Sequence, residues 1–554
     1  MTSDRAKEKG SRLERRRIGA LVLLCLILFF FRLGGHYLWD IDEGMHAVTA
    51  KNMIVTGDWV TPTFNGELFF DKTPLSNWFS ALAFIVLGFT EFAARLPAAL
   101  LSLAGVLVTY FFGRRIFGGR VAFLSAVALA TALEYVILAR AVVHDPSLAF
   151  FVTLSLLAFY RAYTDEAGRV RYLLLMYASA GVAVLAKGPL GVLLPTCVIG
   201  LFLALRWDPG FLRKMMIVRG ALITLAVAVP WYVMVALRND TFLEYFFLKQ
   251  NLGNFGSATA RHAQPWHYYL PVLLVILLPW SLFLPLALYR WFRDRRKLGP
   301  EWLFVIIWFS FMLLFFSAAS AKLATYLLPM FPAVAFLMGG LWDRLLGPPD
   351  RRLRWGILLT QLGVALIGFA AIYYLWGPLR ADPEIGPKLP GWAVPSVTAI
   401  ILSGVALTSF LVLRRSYRAL FGTLAGSIVV AIVFFVLAIA PGLNSYKSSK
   451  VIAEQMDELL PPGAKMTTYR WVKDSGMFYT GRESTLLRNE NELLQHLSRA
   501  GALCLIDEKR LPQLGNVAEI RATSRVVRHH GNKLILEGLG PYATAPSSPP
   551  VDGY

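Results

Sequence analysis

Residues 15–43 read RRRIGALVLLCLILFFFRLGGHYLWDIDE, and this stretch points to a membrane protein. An arginine cluster is followed by an apolar run, residues 18–31, which passes into a segment rich in aromatic and acidic residues. A signal peptide would close its apolar run with a small-x-small cleavage site, whereas Arg32, Leu33 and Gly34 follow this one. We therefore predict an uncleaved first span with its basic end in the cytoplasm.

The whole chain has the composition of a bilayer protein. Of its 554 residues, 56% are hydrophobic and only 16% are charged, which is too apolar for a soluble protein of this length. Its formal net charge of +20 would suggest a nucleic-acid partner in a soluble protein. In a membrane protein, Lys and Arg concentrate in cytoplasmic loops, so we interpret the charge as topology and expect no nucleic-acid partner. The three cysteines have no metal-ligand spacing.

Apolar runs long enough to cross a bilayer, about 17–25 residues, recur along the chain. About thirteen are predicted, and they begin near Ile18, Leu96, Val121, Pro146, Tyr172, Pro189, Gly220, Tyr269, Trp302, Ala324, Gly356, Ala393 and Ala419. A further run, residues 75–88, is only about 14 residues long, which is the length of an interfacial or re-entrant segment.

The basic loops indicate which side of the membrane each segment occupies. If residues 75–88 lie in the interface, the loops assigned to the cytoplasm are residues 114–120, 161–171, 206–219, 290–297, 344–354 and 414–418, and all of them are basic. The loops on the other side hold few Lys or Arg, as the positive-inside rule predicts. Counting the short run as a span would reverse this pattern. We therefore predict a cytoplasmic N-terminus and a periplasmic C-terminal region.

The fold class that follows is an all-α polytopic membrane protein with amphipathic juxtamembrane helices in its first outer loop and a small C-terminal α/β domain. Short β-type runs alternate with polar helical stretches in that last region. The predicted domains are a basic cytoplasmic tail at residues 1–17, a transmembrane domain at 18–441, a periplasmic α/β domain at 442–540 and a disordered tail at 541–554.

Polar residues that are hard to explain as helix ends gather in the predicted outer loops. They include Asp42, Asp71, Lys72, Asp145, Arg261 and Lys322. A single carboxylate at a membrane interface is often merely solvated, but acidic groups from two loops together with cations on one face suit a substrate that has a phosphate to bind and a sugar or amine to orient. The turn Lys187-Gly188-Pro189 either belongs to this group or is an ordinary interfacial turn.

Several motifs resemble a known family in their order along the chain. They are Trp39-Asp40-Ile41-Asp42-Glu43, Gly57-Asp58-Trp59-Val60-Thr61-Pro62, Phe70-Asp71-Lys72-Thr73-Pro74, Ala93-Ala94-Arg95-Leu96-Pro97, His144-Asp145-Pro146, Lys187-Gly188-Pro189, Arg261-His262 and Lys322-Leu323-Ala324-Thr325-Tyr326. This series resembles the bacterial aminoarabinose (4-amino-4-deoxy-L-arabinose) lipid A transferases and the wider group related to protein O-mannosyltransferases. These are glycosyltransferases of the GT-C type, and the similarity covers most of the membrane region.

The resemblance implies an integral-membrane enzyme of the bacterial inner membrane that moves a sugar from a polyprenyl (undecaprenyl) phosphate carrier to an extracytoplasmic acceptor. Aminoarabinose and a lipid A phosphate are the expected sugar and acceptor. By the same resemblance, Asp42 and Asp145 are the expected catalytic carboxylates. The residues expected to bind substrate or phosphate are Glu43, Asp71, Lys72, Arg261, Lys322 and Tyr326.

The role of the carboxylates depends on the acceptor. A hydroxyl acceptor would need a general base, for which Asp42 is the first candidate and Asp145 the second. A lipid A phosphate is already nucleophilic, so the two carboxylates would then orient the sugar, for example by pairing with its amino group.

His262 and His267 stand close together in the sequence and are candidates for a divalent-metal site, zinc for example, with a structural role. Further ligands could come from the same predicted face, which also carries His46, His144, Glu67 and Asp71. The alternative is a pair of interfacial histidines with ordinary hydrogen-bond partners. The spacing of the two histidines does not distinguish a metal site from this alternative.

Two other functions remain open at this point. One is a related polyprenyl-phosphate-sugar transferase that acts on protein or on another surface glycan. The other is a transporter or flippase for a lipid-linked sugar, but transporters typically hold charged groups near the middle of the membrane. The spans of this chain keep ionisable residues towards their ends, which favours the enzyme.

Overall fold

The computed structural model describes residues 2–253, 262–297, 299–347, 351–381, 391–471 and 474–540. A helical bundle takes up the chain to residue 447, and a small α/β domain follows it. Both predicted parts of the fold class are thus confirmed. We call the end of the bundle that carries this domain the upper face.

The α-helices of the bundle and its loops follow in chain order. They are α1 (Thr2–Cys25), α2 (Asp42–Thr56), α3 (Leu75–Leu87), α4 (Glu91–Ile116), α5 (Gly119–Ala130), α6 (Leu133–Ala139), α7 (Asp145–Thr164), α8 (Arg169–Lys187), α9 (Leu190–Leu205), α10 (Ile217–Arg238), α11 (Tyr269–Ile276), α12 (Leu284–Asp294), α13 (Pro300–Ala318), α14 (Phe331–Leu345), α15 (Arg351–Trp376), α16 (Pro378–Ala381), α17 (Ala393–Leu413), α18 (Tyr417–Phe434) and α19 (Ala440–Lys447). Segments of π-helix or 3₁₀-helix occur at Leu26–Phe30, Pro209–Lys214, Glu244–Gly253, Ser281–Phe283, Ala324–Met330 and Phe435–Ile439.

In the described ranges, nine helical stretches are long and apolar enough to cross a membrane, and two bent pairs raise the number to eleven. The bent pairs are α5 with α6, at 64°, and α11 with Ser281–Asp294, at 119°. The other two of the thirteen predicted spans coincide with α1, which continues from its basic start into the first apolar run, and with α9, which has 16 residues. The short run at residues 75–88 forms the 13-residue α3.

The C-terminal domain is built on one mixed sheet. Its helices are α20 (Lys450–Asp457), α21 (Asp474–Thr480), α22 (Glu490–Leu497) and α23 (Val517–Thr523), and its strands are β3 (Met466–Tyr469), β4 (Ser484–Leu487), β5 (Leu503–Asp507), β6 (Ser524–His530) and β7 (Lys533–Gly538). The strand order is β4-β3-β5-β7-β6, and β3 pairs in parallel with both β4 and β5. A two-stranded hairpin, β1 (Thr63–Phe64) with β2 (Glu67–Leu68), lies between α2 and α3. The predicted tail at residues 541–554 lies outside the described residues.

A buried ion pair holds the loops of the upper face together. The Arg95 guanidinium of α4 donates to both carboxylate oxygens of Glu43 at 2.8 Å, and its remaining donors reach the backbone oxygens of Leu33, His36 and Tyr37. Burial by itself would raise the pKa of Glu43, but the Arg95 guanidinium lowers it below the ordinary value. The carboxylate therefore stays ionised and fixes the start of α2 against the bundle.

Glu43 also contacts the segment that precedes α7. Its Oε1 accepts a hydrogen bond from the backbone N–H of Val142 at 3.2 Å, and its Oε2 accepts one from the N–H of Trp39 at 3.1 Å. One carboxylate thus connects α2, α4 and the segment that leads into α7.

We expect the substitution Arg95→Met to destabilise the protein by about 3–5 kcal/mol, because it leaves Glu43 buried without its cation. Thermal unfolding of the purified protein in detergent measures the effect. Arg525→Ala is the matched control, since Arg525 pairs with Glu537 at the surface of the C-terminal domain, where such a pair contributes about 0–1 kcal/mol. Equal melting temperatures for the two variants would contradict this role of Arg95.

Candidate active site

A cavity of about 490 Å³ lies beside the ends of α8, α9 and α13. One part of its wall is apolar and includes Leu148, Leu190, Leu193, Phe246, Phe247, Phe315 and Phe316. The other part is polar and consists of Asp71, Lys72, Thr73, Lys187, Gln250 and Tyr326. Such a cavity suits a lipid with an anionic headgroup, because the apolar wall can contact the hydrocarbon chain and the lysines of the polar wall can contact the headgroup.

Lys72 is the cation of this cavity without a bonded partner among the described residues. Burial lowers its pKa from the ordinary value of 10.5, and the charge of Lys187 lowers it further. The carboxylates of Asp145, Asp71 and Asp42 act in the opposite direction. A cation that is partly desolvated and unpaired gains most from an incoming anion, so Lys72 is the candidate anion-binding side chain of this cavity.

The second lysine of the cavity is already paired. Lys187, the last residue of α8, donates to Asp145 Oδ1 at 2.6 Å, and its Nζ stands 4.5 Å from the centre of the Tyr326 ring. Asp145 is the first residue of α7, where a carboxylate also meets the positive end of the helix dipole. The sequence left the role of Lys187 open, and the structure places it between a predicted catalytic carboxylate and a predicted binding residue.

Asp71 is held by a segment that sequence analysis did not single out. The hydroxyl of Tyr245 donates to Asp71 Oδ1 at 2.5 Å, and Gln250 Nε2 donates to the Asp71 backbone oxygen at 3.1 Å. Both partners belong to the π-helix Glu244–Gly253, which also supplies Phe246 and Phe247 to the cavity wall. Nothing in the sequence of this loop marks it as part of the site, because its contribution depends on a tertiary contact.

Asp42 is the first residue of α2, and its side chain is exposed. Its charge acts on the pKa of Lys72, as do those of Asp71 and Asp145, so all three carboxylates lie within electrostatic range of that lysine. The structure thus brings Asp145, from a second loop, into electrostatic range of Lys72, which precedes α3 in the chain together with Asp42 and Asp71. Of these residues, Asp71 and Lys72 line the cavity, together with Tyr326.

Two of the predicted binding residues are engaged elsewhere. Glu43 is bonded to Arg95 and to backbone N–H groups, and it is not part of the cavity wall. Lys322 is buried, and its Nζ donates to the backbone oxygens of Gln264, at 2.8 Å, and of Ala319. Both side chains therefore have their hydrogen bonds satisfied within the protein. Arg261 lies outside the described residues.

The two metal candidates are exposed. His262 and His267 belong to a short segment before α11, and a bridge between Ala263 and Ala321 ties this segment to the one that follows α13. Among the residues that the structure describes, no group of three or more His, Cys, Asp or Glu side chains is arranged to hold a metal ion. The zinc site at His262 and His267 thus stays a prediction.

A different pair of histidines lies beside the cavity. His46 of α2 and His144, next to Asp145, are buried with their rings edge to face at 4.3 Å. Burial, followed by the charge of Lys72 and that of Lys187, lowers the pKa of His46 to about 3. The pKa of His144 is also well below its ordinary value, mainly because of burial. Both rings are therefore neutral at physiological pH and add no positive charge to the site.

Known proteins resemble this chain in sequence. Residues 71–234 match the family model described as dolichyl-phosphate-mannose-protein mannosyltransferase. An undecaprenyl phosphate-alpha-4-amino-4-deoxy-L-arabinose arabinosyl transferase of Pseudomonas paraeruginosa is 32% identical over 370 residues, which are 66% of each chain. The protein of the same name from Edwardsiella ictaluri is 30% identical over 392 residues, 69% of this chain and 70% of that protein.

The chain belongs to the aminoarabinose transferase family. The resemblance predicted from its outer-loop motifs is thereby confirmed, and with it the assignment of the chain to membrane glycosyltransferases. The aligned part amounts to about two thirds of the length of the Pseudomonas paraeruginosa relative.

The solved structures share the fold of this family. The crystal structure of ArnT from Cupriavidus metallidurans bound to undecaprenyl phosphate superposes with a TM-score of 0.77 at 24% sequence identity. The match covers 94% of this chain and 97% of that chain, so it includes the C-terminal domain as well as the bundle.

The lowered pKa of Lys72 makes anion binding sensitive to alkaline pH. A lysine is charged below its pKa and neutral above it, so the affinity for a polyprenyl phosphate should fall as the pH rises through the pKa of Lys72 in the free protein. Because Arg stays charged, Lys72→Arg should retain its affinity at the alkaline end of the series. Titration of the purified protein with undecaprenyl phosphate from about pH 7 to about pH 10 measures this, and parallel curves for the two proteins would contradict it.

Proposed function

We propose that the chain transfers 4-amino-4-deoxy-L-arabinose from undecaprenyl phosphate to a phosphate of lipid A. The observation that carries the proposal is the unpaired Lys72 at the polar end of a cavity whose other wall is apolar. The family to which the chain belongs supports the same donor and the same sugar, since its relatives are named for them.

The headgroup of the carrier would lie at Lys72, with its hydrocarbon chain along Leu190, Leu193 and Phe315. In the reaction, the bond between the anomeric carbon and the oxygen of the carrier phosphate breaks, and the phosphate leaves with the electron pair. A phosphate oxygen of lipid A forms the new bond to that carbon. Lys72 offsets the negative charge that develops on the leaving group, which is the charge stabilisation that such a transfer requires.

Asp42 suits the recognition of the sugar. Its carboxylate is exposed and unbonded within the described chain, and it lies within electrostatic range of Lys72. Because a phosphate acceptor needs no general base, the carboxylate is available to pair with the amino group of the sugar. Asp145 is committed to Lys187 and holds that cation at the cavity wall.

The proposed orientation places the upper face in the periplasm and the N-terminus in the cytoplasm. Supporting it are the six basic loops that this topology assigns to the cytoplasm, together with the positive-inside rule. The lipid A acceptor would then reach the site from the outer leaflet of the inner membrane.

We expect Lys72→Ala to weaken the binding of undecaprenyl phosphate roughly 10- to 150-fold, since a hydrogen bond to a charged group contributes about 1.5–3 kcal/mol. Lys249→Ala is the matched control, because Lys249 lies on the π-helix beside the cavity but is exposed and paired with Glu244. Equilibrium binding to both variants in detergent gives the comparison. Equal affinities would remove the basis for phosphate binding at Lys72.

We expect Asp42→Asn to lower the rate of transfer roughly 10- to 100-fold with little change in thermal stability, because the side chain is exposed and acts only on the substrate. The assay uses protein in liposomes with synthetic undecaprenyl phosphate-aminoarabinose and lipid A, and mass spectrometry detects the added aminopentose. Asp240→Asn, an exposed carboxylate beyond the end of α10, is the control.

The acceptor panel separates this proposal from its alternatives. The transfer assay is run in parallel with three acceptors: lipid A, dephosphorylated lipid A and a membrane-protein extract. Product on intact lipid A alone supports the proposal. Product on protein would point instead to the related transferase, and movement of the labelled donor across the bilayer without product would point to a flippase.

A further inference from the structure

The C-terminal domain binds the segment that leads into α2. Asp40 Oδ1 accepts hydrogen bonds from the backbone N–H of Ser475 at 2.8 Å and from its hydroxyl at 2.6 Å. Asp40 Oδ2 accepts a third, from the hydroxyl of Ser449, at 2.5 Å. A carboxylate of the first outer loop is therefore fully bonded by residues that lie more than 400 positions further along the chain.

Gly44, in the first turn of α2, allows the two parts to approach this closely. A Cβ atom at this position would stand 2.4 Å from the backbone nitrogen of Ser475 and 2.9 Å from the Cβ of Asp474. Both distances are far below van der Waals contact, and the nearer atom is backbone, which cannot rotate away. Any other residue at position 44 would push α21 away from α2.

A shared hydrophobic core extends the contact. Ala47 and Val48 of α2 belong to the same buried cluster as Ile452, Met477 and Phe478 of the C-terminal domain. The bonds at Asp40 are therefore part of a packed interface and not an isolated surface contact.

Polar contacts tie the remainder of the outer loop to the same domain. Asn65 and Ser484 exchange two hydrogen bonds, at 2.8 and 2.6 Å. The hydroxyl of Tyr479 accepts from the backbone N–H of Leu38 and donates to Glu91 of α4.

In the sequence, Asp42 lies between Asp40 and Gly44, the two residues that contact the C-terminal domain at α21. Its own side chain is exposed and has no hydrogen bond or ion pair within the described residues, so its position is set by its backbone neighbours. Asp40 and Gly44 hold those neighbours against the C-terminal domain, and Glu43 holds them against Arg95 of the bundle.

We propose that the C-terminal domain positions Asp42 for the transfer reaction, and that Asp40 and Ser475 are positioning residues. The inference rests on the proposed function of Asp42 at the sugar. It gives the domain a part in catalysis that is separate from carrier binding, because neither Asp40 nor any residue of the domain that the structure describes lines the cavity at Lys72.

The test compares Ser475→Ala and Gly44→Ala with Gly422→Ala in the full-length protein. Ser475→Ala removes the hydroxyl that bonds Asp40, and Gly44→Ala inserts a methyl group into the interface. Gly422→Ala in α18 is the matched control, since nothing lies within 4 Å of a Cβ built there. The readouts are kcat for transfer to lipid A, the Kd for undecaprenyl phosphate and the melting temperature in detergent.

We expect kcat to fall about tenfold or more in Ser475→Ala and Gly44→Ala, because a displacement of about 1 Å at a reacting group can cost up to about 100-fold in rate. The Kd for undecaprenyl phosphate should stay within about twofold of the wild-type value, since the cavity is unchanged. Gly422→Ala should match the wild type in all three measurements.

Two results would overturn the inference. One is a wild-type kcat in both interface variants. The other is a loss of kcat that is matched by an equal loss of carrier affinity, together with a lower melting temperature, which would indicate a merely structural contact. Failure of the proposed function itself is seen separately, as absence of aminoarabinose transfer by the wild-type protein.

Discussion

The ion pair between Arg95 and Glu43 is the constraint on which the arrangement of the site depends. Two charges removed from water contribute little net stability unless every donor and acceptor is satisfied, and this pair is satisfied by backbone groups from separate loops. The pair therefore fixes geometry more than it adds free energy. Because Glu43 is adjacent to Asp42, and Val142 stands shortly before Asp145, both predicted catalytic carboxylates are placed relative to one buried group.

The two lysines of the cavity illustrate how the same side chain serves two purposes. Lys187 is neutralised by Asp145 and covered by Tyr326, so it shapes the wall without demanding a ligand. Lys72 has neighbouring carboxylates within range but none bonded to it in the described chain. Its desolvated charge is thus left for an exogenous anion, and the neutral histidines His46 and His144 nearby do not add to the positive field.

The sequence predicts the parts of this protein that depend on local pattern. Apolar runs and basic loops predict the bundle, the short α3 and the C-terminal domain, and they place Asp42, Lys72 and Asp145 on one face. The sequence does not distinguish two side chains of the same type when the fold gives them different partners. Glu43 and Asp42 are adjacent acids, yet only the position of Arg95 in the fold makes one a buried anchor and leaves the other exposed. Lys322 is likewise bonded to backbone oxygens, and Tyr245 enters the site only through its contact with Asp71.

Part of the apolar wall of the cavity belongs to helices that are long and apolar enough to cross a membrane, among them α13 with Phe315. A lipid whose headgroup sits at Lys72 can therefore leave its hydrocarbon chain within the bilayer throughout a catalytic cycle. Exchange of a spent carrier for a charged one then takes place by lateral diffusion, and its rate depends on the surface density of each species in the leaflet and not on a bulk concentration. Under the proposed function both species present a phosphate to Lys72, so their ratio in the leaflet would determine how much of the protein is productively occupied.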